Sequence, residues 1–232
     1  MFRSSLLALL LCSIATLAQA QPAQPHNWRE GENYFLIQPT QPSNAPPGKI
    51  EVTEVFSYAC PACNAFYSVA DRIKSSLPAN AVMDFLPAAF NASEDWPMFQ
   101  RAYFAAQALG IAAKTHDQMF NAVWKSGELA IIDRNTNTLK QPAPSIEDAA
   151  RFYHRAAGVS EQQFLSVARS FSVDLKMKRA DQLIQAYQAD STPTLIINGK
   201  YRVTPSSAGG LNQTIELVKF LVARESQAAA SR

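Results

Sequence analysis

The segment from Tyr58 to Tyr67, YACPACNAFY, contains two of the three cysteines of the chain in a Cys-x-x-Cys pair. Pro61 fits the first position of a helix, where its missing N–H costs nothing and its fixed φ suits the helix. Cys60 would then stand at the helix N-terminus, where free N–H groups and the helix dipole lower the pKa of a thiol. Cys63 would lie one turn further in, more buried and able to attack a mixed disulfide at Cys60. The pair therefore predicts dithiol–disulfide exchange, with Cys60 exchanging and Cys63 resolving.

The first twenty residues have the organisation of a secretory signal. Arg3 precedes the apolar stretch Leu6–Leu17, and small residues precede an expected cleavage after Ala20. Cys12 lies inside this segment, so only the Cys-x-x-Cys pair remains in the mature chain. A bridge across so short a loop restricts the unfolded chain very little, which argues against a purely structural disulfide. We expect an exported protein in a compartment where disulfides form.

Charge and metal-ligand spacing exclude other classes of function. The formal net charge is only +2, which gives no electrostatic reason to expect a nucleic-acid partner. His26, His116 and His154 lack the paired spacing of zinc ligands, so we interpret them as surface or structural residues. Asp133 begins a stretch that imitates a calcium loop, but Thr138 stands where such a loop requires glycine. We expect a polar turn there and no metal site in the protein.

Apolar periodicity and turn signals divide the chain into strands and helices. The predicted strands are Lys49–Ser57, Val82–Leu86, Thr194–Ile197 and Lys200–Val203, with Tyr34–Ile37 as a further outer strand. From about Trp96 to Ala189 we expect helices only. The final helix is predicted to present one apolar face, formed by Leu211, Ile215, Val218 and Val222. This order predicts an α/β fold in which a mixed sheet is interrupted by a helical insertion.

Local signals predict where several of these elements begin and end. Capping boxes, in which a serine or threonine is followed three residues later by a polar partner, are predicted at Thr115, Ser145 and Ser160. Gly127 and Gly158 stand where helices are expected to stop. Asn198-Gly199 predicts a tight hairpin turn between the last two strands.

These segments together resemble the DsbA family of thiol–disulfide oxidoreductases. The resemblance rests on Glu30-Gly31 with Tyr34, on EVFSYACPACNAF from Glu54, on the helical block, and on STPTLIINGKY from Ser191. It covers nearly all of the mature chain and implies a thioredoxin-like mixed sheet with an inserted all-helical domain. The implied division is a signal peptide at 1–20, a discontinuous thioredoxin-like domain at 27–90 and 187–226, and a helical domain at 91–186.

The Thr192-Pro193 pair opens one of the predicted strands. In the family the matching proline is cis and faces the cysteine pair, so the resemblance implies a cis bond before Pro193. A proline there removes an N–H and turns the backbone of Thr192 toward an extended substrate, which would pair with it as an added strand. The alternative is an ordinary turn before a strand.

Glu54 alternates with Ile50, Val52 and Phe56 and shares their predicted buried face. A buried acid is costly unless it is neutral or has a partner. The resemblance implies an acid beneath the cysteines that assists proton movement as Cys63 reacts. Family members often place a lysine nearby on the next strand, but Val82–Leu86 contains none, so the partner of Glu54 stays open. The alternative is a glutamate at a strand end that reaches solvent.

Ala62 departs from the family pattern. Strong oxidases of this family commonly have Cys-Pro-His-Cys, where the histidine helps to stabilise the thiolate of the first cysteine. Alanine neither donates a hydrogen bond nor carries charge, so only Pro61 and the helix terminus remain to tune Cys60. We expect a moderate stabilisation of that thiolate.

The resemblance implies a periplasmic oxidoreductase that introduces disulfide bonds into exported proteins. Its implied partners are reduced or unfolded exported proteins and a DsbB-like membrane oxidase, and the quinone belongs to that oxidase. We expect a monomer that needs no cofactor besides its redox-active disulfide. One alternative is a disulfide isomerase or reductase, although the residues before Tyr34 are too few for the dimerisation domain of known isomerases. Another is a peptide-binding chaperone of the periplasm whose cysteines are incidental.

Overall fold

The computed structural model describes residues 27–92 and 94–230. The predicted signal segment at 1–20 and His26 lie outside the described residues. Among the helices of the described part, none is long and apolar enough to cross a membrane.

The centre of the protein is a mixed sheet. The strands are β1 (Phe35–Leu36), β2 (Ile50–Phe56), β3 (Ala81–Pro87), β4 (Ile132–Asp133), β5 (Thr138–Leu139), β6 (Thr194–Ile197) and β7 (Tyr201–Val203). Five of them form the main sheet in the order β1-β7-β6-β2-β3. Only β2 and β3 are parallel, and the other neighbours are antiparallel. The predicted mixed sheet and its outer strand near Tyr34 are confirmed.

Strand β2 is buried along its whole length because both of its faces are covered. Ile50 and Val52 face a cluster that includes side chains of helices α1 (Pro61–Ser76) and α8 (Leu211–Ala230). Val55 faces a second cluster on the opposite side of the sheet, together with Ile196 and Tyr187. The continuous run of β-branched and aromatic residues in β2 suits this double burial. Its carboxyl end therefore leads directly into the protein interior beside α1.

The segment between β3 and β6 is mainly helical, as predicted. Its helices are α2 (Trp96–Ala108), α3 (Ala112–Asn121), a π-helical turn (Ala122–Ser126), α4 (Ile146–Ala157), α5 (Glu161–Ala168) and α6 (Phe171–Ala186), and the short α7 (Pro205–Ala208) follows the sheet. A single buried cluster joins this helical segment to Phe56, Tyr58 and both cysteines. The helices therefore pack directly against the Cys-x-x-Cys segment.

The expectation of helices only between Trp96 and Ala189 is wrong at one place. Strands β4 and β5 form a small antiparallel hairpin, and each is too short to show an alternating pattern in the sequence. The polar turn expected from Asp133 is confirmed, since its Oδ1 accepts hydrogen bonds from the backbone N–H of Asn135 at 2.8 Å and of Thr136 at 3.3 Å.

Most of the predicted element ends are correct. Ser145 forms a complete capping box with Asp148, and the Ser160 hydroxyl accepts from the backbone of the residue three positions later. Thr115 is wrong as a helix start, because it lies inside α3 and its hydroxyl donates to the carbonyl of Ile111 at 2.8 Å. Gly127 and Gly158 both end helices in the left-handed conformation.

The hairpin turn and the last helix were also predicted. Asn198 and Gly199 both have positive φ, and a Cβ on Gly199 would meet the carbonyl of Gln41, so glycine is required there. In α8 the predicted apolar face is buried at three of its four positions, Ile215, Val218 and Val222. Leu211 is an error in that prediction, because it is 43% exposed at the start of the helix.

Candidate active site

Cys60 is the N-cap residue of α1, as predicted. Strand β2 stops at Phe56, and a turn carries the chain to Cys60, with Pro61 opening the helix. The sulfur of Cys60 accepts a hydrogen bond from the backbone N–H of Cys63 at 3.4 Å. An extended N-cap conformation followed by proline brings the thiol over the free N–H groups of the first turn.

The pKa of the Cys60 thiol is lowered to about 6. The largest cause is the hydrogen bond from the Cys63 side chain, and smaller contributions come from Thr192 and from the backbone N–H groups of Cys63 and Ala62. Burial acts in the opposite direction and is outweighed. Donors that surround the sulfur stabilise its anion, so Cys60 is a thiolate near neutral pH.

Cys63 has the opposite environment. Its side chain is fully buried, and burial raises the pKa of its thiol well above the usual value, with further contributions from Cys60 and Glu54. Cys60 keeps 5% of its surface, so the expectation of an accessible thiol is met only relative to Cys63. Both cysteines are reduced in this structure.

Glu54 is buried, as its alternation along β2 predicts, and it lies near the cysteine pair, as the resemblance implies. It is 2% exposed, and among the described residues its Oε2 has no hydrogen-bond partner. Burial raises the pKa of this carboxyl to about 8, and the negative charges of Cys60 and Asp71 add to the shift. The neighbouring position on β3 is Phe85, which provides no cation. Glu54 is therefore a neutral acid near pH 7, and the alternative of a solvent-reaching glutamate is wrong.

The Thr192-Pro193 bond is cis, and it lies beside the cysteine pair. The carbonyl oxygen of Thr192 is 3.5 Å from the sulfur of Cys60 and accepts a hydrogen bond from it when the thiol is protonated. Pro193 is buried and immediately precedes β6, the strand next to β2. The fold therefore brings together two segments that the sequence separates by 132 positions.

Two contacts that hold the turn before Cys60 were missed in the sequence. The Tyr58 hydroxyl is hydrogen-bonded to Nδ1 of His116 at 2.8 Å, and the indole N–H of Trp124 donates to the Tyr58 carbonyl at 2.8 Å. Burial, assisted by Lys74, lowers the pKa of His116 to about 3, so the imidazole is neutral. Because these contacts join residues far apart in sequence, no local pattern could have indicated them.

The surface next to Cys60 is formed by Pro61 and Ala62, which are exposed in the first turn of α1. Ala62 presents only a methyl group where a polar side chain could reach the sulfur. Among the residues that the structure describes, no group of three or more His, Cys, Asp or Glu side chains could hold a metal ion.

This geometry defines a class of protein, the thioredoxin-fold thiol–disulfide oxidoreductases. A thioredoxin family model matches residues 45–217. The thiol:disulfide interchange protein DsbA of Pseudomonas aeruginosa is 31% identical over 227 residues, which cover 98% of this chain and 99% of that protein. DsbA of Azotobacter vinelandii is also 31% identical, over 97% of this chain and 99% of its own. The chain belongs to the DsbA family and is a disulfide oxidoreductase.

Solved structures support the same assignment of the fold. The crystal structure of DsbA from Xylella fastidiosa superposes with a TM-score of 0.74 at 30% identity and covers 86% of this chain and 98% of that one. The crystal structure of Pseudomonas aeruginosa DsbA gives 0.73 at 31% identity, over 88% and 97% of the two chains. The thioredoxin-like sheet with a helical insertion, expected from the resemblance, is confirmed.

Proposed function

We propose that this protein introduces disulfide bonds into exported proteins of the periplasm by donating a Cys60–Cys63 disulfide. The observation that carries the proposal is the pair of opposite pKa shifts, to about 6 at Cys60 and well above the usual value at Cys63. A stabilised Cys60 thiolate favours the reduced protein and makes Cys60 a good leaving group. Both effects make the disulfide an efficient oxidant of other dithiols.

The reaction proceeds by two exchanges. A substrate thiolate attacks the sulfur of Cys60 and forms a mixed disulfide, while the bond between the two cysteines breaks and Cys63 leaves as a thiolate. Cys63 takes up a proton, and Glu54 is the buried donor because its pKa of about 8 keeps it protonated near neutral pH. A second substrate thiolate then attacks the substrate sulfur of the mixed disulfide and releases the Cys60 thiolate. The substrate loses two electrons, and the cysteine pair gains them.

The backbone beside Cys60 is arranged to hold an extended substrate. The Thr192 carbonyl lies 3.5 Å from the reacting sulfur, and Pro193 follows it with no N–H of its own. We assign substrate binding to these two residues, with the substrate chain pairing alongside Thr192 as an added strand. Pro61 and Ala62 tune the sulfur from the other side.

The remaining parts of the proposal concern partners and organisation. Reoxidation is assigned to a DsbB-like membrane oxidase that carries the quinone, while this chain contributes only its redox-active disulfide. The division into a thioredoxin-like domain at 27–90 and 187–226 and a helical domain at 91–186 belongs to the same proposal. The positions of the elements support this division. All five strands of the main sheet lie in the thioredoxin-like part, and helices α2 to α6 lie in the helical part.

Equilibration with glutathione tests the direction of the reaction. We expect the cysteine pair to be more oxidising than the cytosolic glutathione pool, whose reduction potential is about −240 mV. We also expect the oxidised protein to form disulfides in reduced ribonuclease, and Cys60→Ser with Cys63→Ser to abolish this. A more reducing pair would assign the protein to the reductases. Full retention of client-folding activity in the double variant would instead indicate a chaperone.

A further inference from the structure

A cavity of about 310 Å³ lies between α1, β3 and the part of the helical segment formed by α2 and α3. Neither cysteine lines it, and neither does Thr192 or Pro193. A cavity of this size suits a small organic molecule, since ligand sites in proteins begin at roughly 300 Å³. It is therefore a second concave site, separate from the surface on which the redox reaction occurs.

One wall of the cavity is aromatic. Phe85, Tyr103 and His116 line it, and the rings of Phe85 and His116 are 4.4 Å apart between centroids. His116 is 7% exposed and uses Nδ1 to bond Tyr58, and among the described residues its Nε2 has no hydrogen-bond partner. The imidazole carries no charge near neutral pH, because its pKa is about 3. This wall provides apolar and π surface, with one ring nitrogen available to a ligand.

The rest of the lining has an excess of negative charge. Asp71, Asp84 and Asp117 line the cavity with a single cation, Lys74. Within the described part of the chain, none of the three carboxylates forms a salt bridge within 4.0 Å. The pKa of Asp117 is raised, first by burial and then by the charge of Asp71. Like charges that line one cavity repel each other, and a bound cation relieves that repulsion.

We propose that this cavity binds a small organic cation, an alkylammonium or guanidinium group on a short apolar stem. The cationic head lies between the carboxyl groups of Asp71 and Asp117, which line the same cavity. The apolar stem lies on the rings of Phe85 and Tyr103 and is held there by apolar contact. The same chemistry is offered by a free aliphatic amine and by a lysine side chain of a bound protein.

The site is electrostatically connected to the redox centre. The charge of Asp71 adds to the effects of burial and of Cys60 in raising the pKa of Glu54. A cation bound beside Asp71 offsets part of that charge and so favours the ionised form of Glu54. Binding at the cavity therefore changes the ionisation of Glu54, the acid that protonates Cys63, without contact between the ligand and either sulfur.

Amide NMR of the full chain in its reduced state tests the proposal, with 1,4-diaminobutane as the probe. We expect saturable shifts at Ala112, Ala113 and Asp117, and none with 1,4-butanediol, which has the same stem without charge. The double variant Asp71→Asn with Asp117→Asn should bind the amine at least about fivefold more weakly. Glu216→Gln removes one carboxylate from the exposed surface of α8, outside this cavity, and should leave the affinity unchanged.

The proposal is overturned if the diol shifts the same amides equally, if no saturable shift occurs, or if the double variant keeps its full affinity. A parallel titration with N-acetyl-lysine methylamide separates the two sources. Tighter binding of the diamine assigns the site to a free amine, and tighter binding of the lysine derivative assigns it to a bound protein. Because Cys60→Ser with Cys63→Ser leaves the cavity lining intact, this variant should bind the amine normally whether or not the protein is an oxidase.

Discussion

Cys60 and Cys63 lie one helical turn apart, but their surroundings have opposite effects on a thiol. At the helix start, the Cys63 thiol and backbone N–H groups donate to the sulfur of Cys60 and lower its pKa to about 6. One turn further in, burial raises the pKa of Cys63, and the neighbouring carboxyl of Glu54 has a pKa of about 8 for the same reason. The difference shows that position along α1, and not the residue type, assigns the attacked and the resolving sulfur.

The largest expected effect comes from removing the buried acid on the interior side. The pKa of Glu54 is about 8 in the folded protein against an ordinary value of 4.5. Because the pKa of Glu54 is raised in the folded protein, the free energy of unfolding is not reduced by this group below pH 4.5. It declines as the pH rises from 4.5 toward 8. Glu54→Gln should therefore increase the free energy of unfolding by about 3 kcal/mol at pH 7 and change it little at pH 4. Denaturant unfolding of the reduced protein at both pH values measures this.

Glu51→Gln is the matched control on the same strand. Glu51 is 3% exposed, but its Oε2 accepts hydrogen bonds from the Ser43 hydroxyl at 3.0 Å and the Asn44 backbone at 2.9 Å. Its carboxylate has partners that Glu54 lacks, so we expect no stabilisation from this substitution. If both variants increase the free energy of unfolding at pH 7, burial of the carboxyl group is sufficient to explain the effect. The missing hydrogen-bond partner of Glu54 would then not be its cause.

The next effect is the difference in reactivity between the two thiols. At pH 6 about half of Cys60 is ionised, whereas burial raises the pKa of Cys63 and keeps its thiol protonated. The lower intrinsic nucleophilicity of an acidic thiolate offsets part of this difference. We expect iodoacetamide to label Cys60 roughly twentyfold faster or more, as read by peptide mass spectrometry. Faster labelling of Cys63 would reverse the assigned roles.

The two sides of the site also differed in how far the sequence could predict them. The helix start, Pro61 and the strand before it are local patterns, and they placed Cys60 and Cys63 correctly relative to each other. The alternation along β2 indicated that Glu54 is buried, but the absence of lysine from β3 left its partner open.

The sequence failed where a property depends on tertiary packing. The near-complete burial of Cys60 and the contacts of Tyr58 with His116 and Trp124 arise only when the helical segment packs against the turn. The β4–β5 hairpin was missed because strands of two residues have no period to detect. The family resemblance, and not any local pattern, supplied the cis bond before Pro193.

The smallest expected effect concerns the exposed position beside Cys60 and the stability of the two redox forms. A thiol pKa lowered to about 6 from 9 stabilises the folded reduced protein fully above pH 9, and the gain is lost as the pH falls through 6. At pH 7 it is about 1.4 kcal/mol, and the disulfide form gains only a small loop constraint. The reduced protein should therefore unfold at higher denaturant concentration than the oxidised protein. Ala62→His adds a donor near the thiolate and should widen this gap by roughly 0.5 kcal/mol, a typical value for an exposed charge pair.

Ala65→His provides the comparison for that last change, because Ala65 is also exposed on α1 but lies two residues beyond Cys63. Both variants have the same helix propensity cost, so a wider gap in Ala62→His alone isolates the effect on the Cys60 thiolate. Unfolding curves of both redox forms of each variant at pH 7 measure the difference. If the oxidised form were the more stable one, the helix start would not control the redox balance. The buried environment of Cys63 and Glu54 would then control the redox balance, and the protein would retain its disulfide instead of donating it.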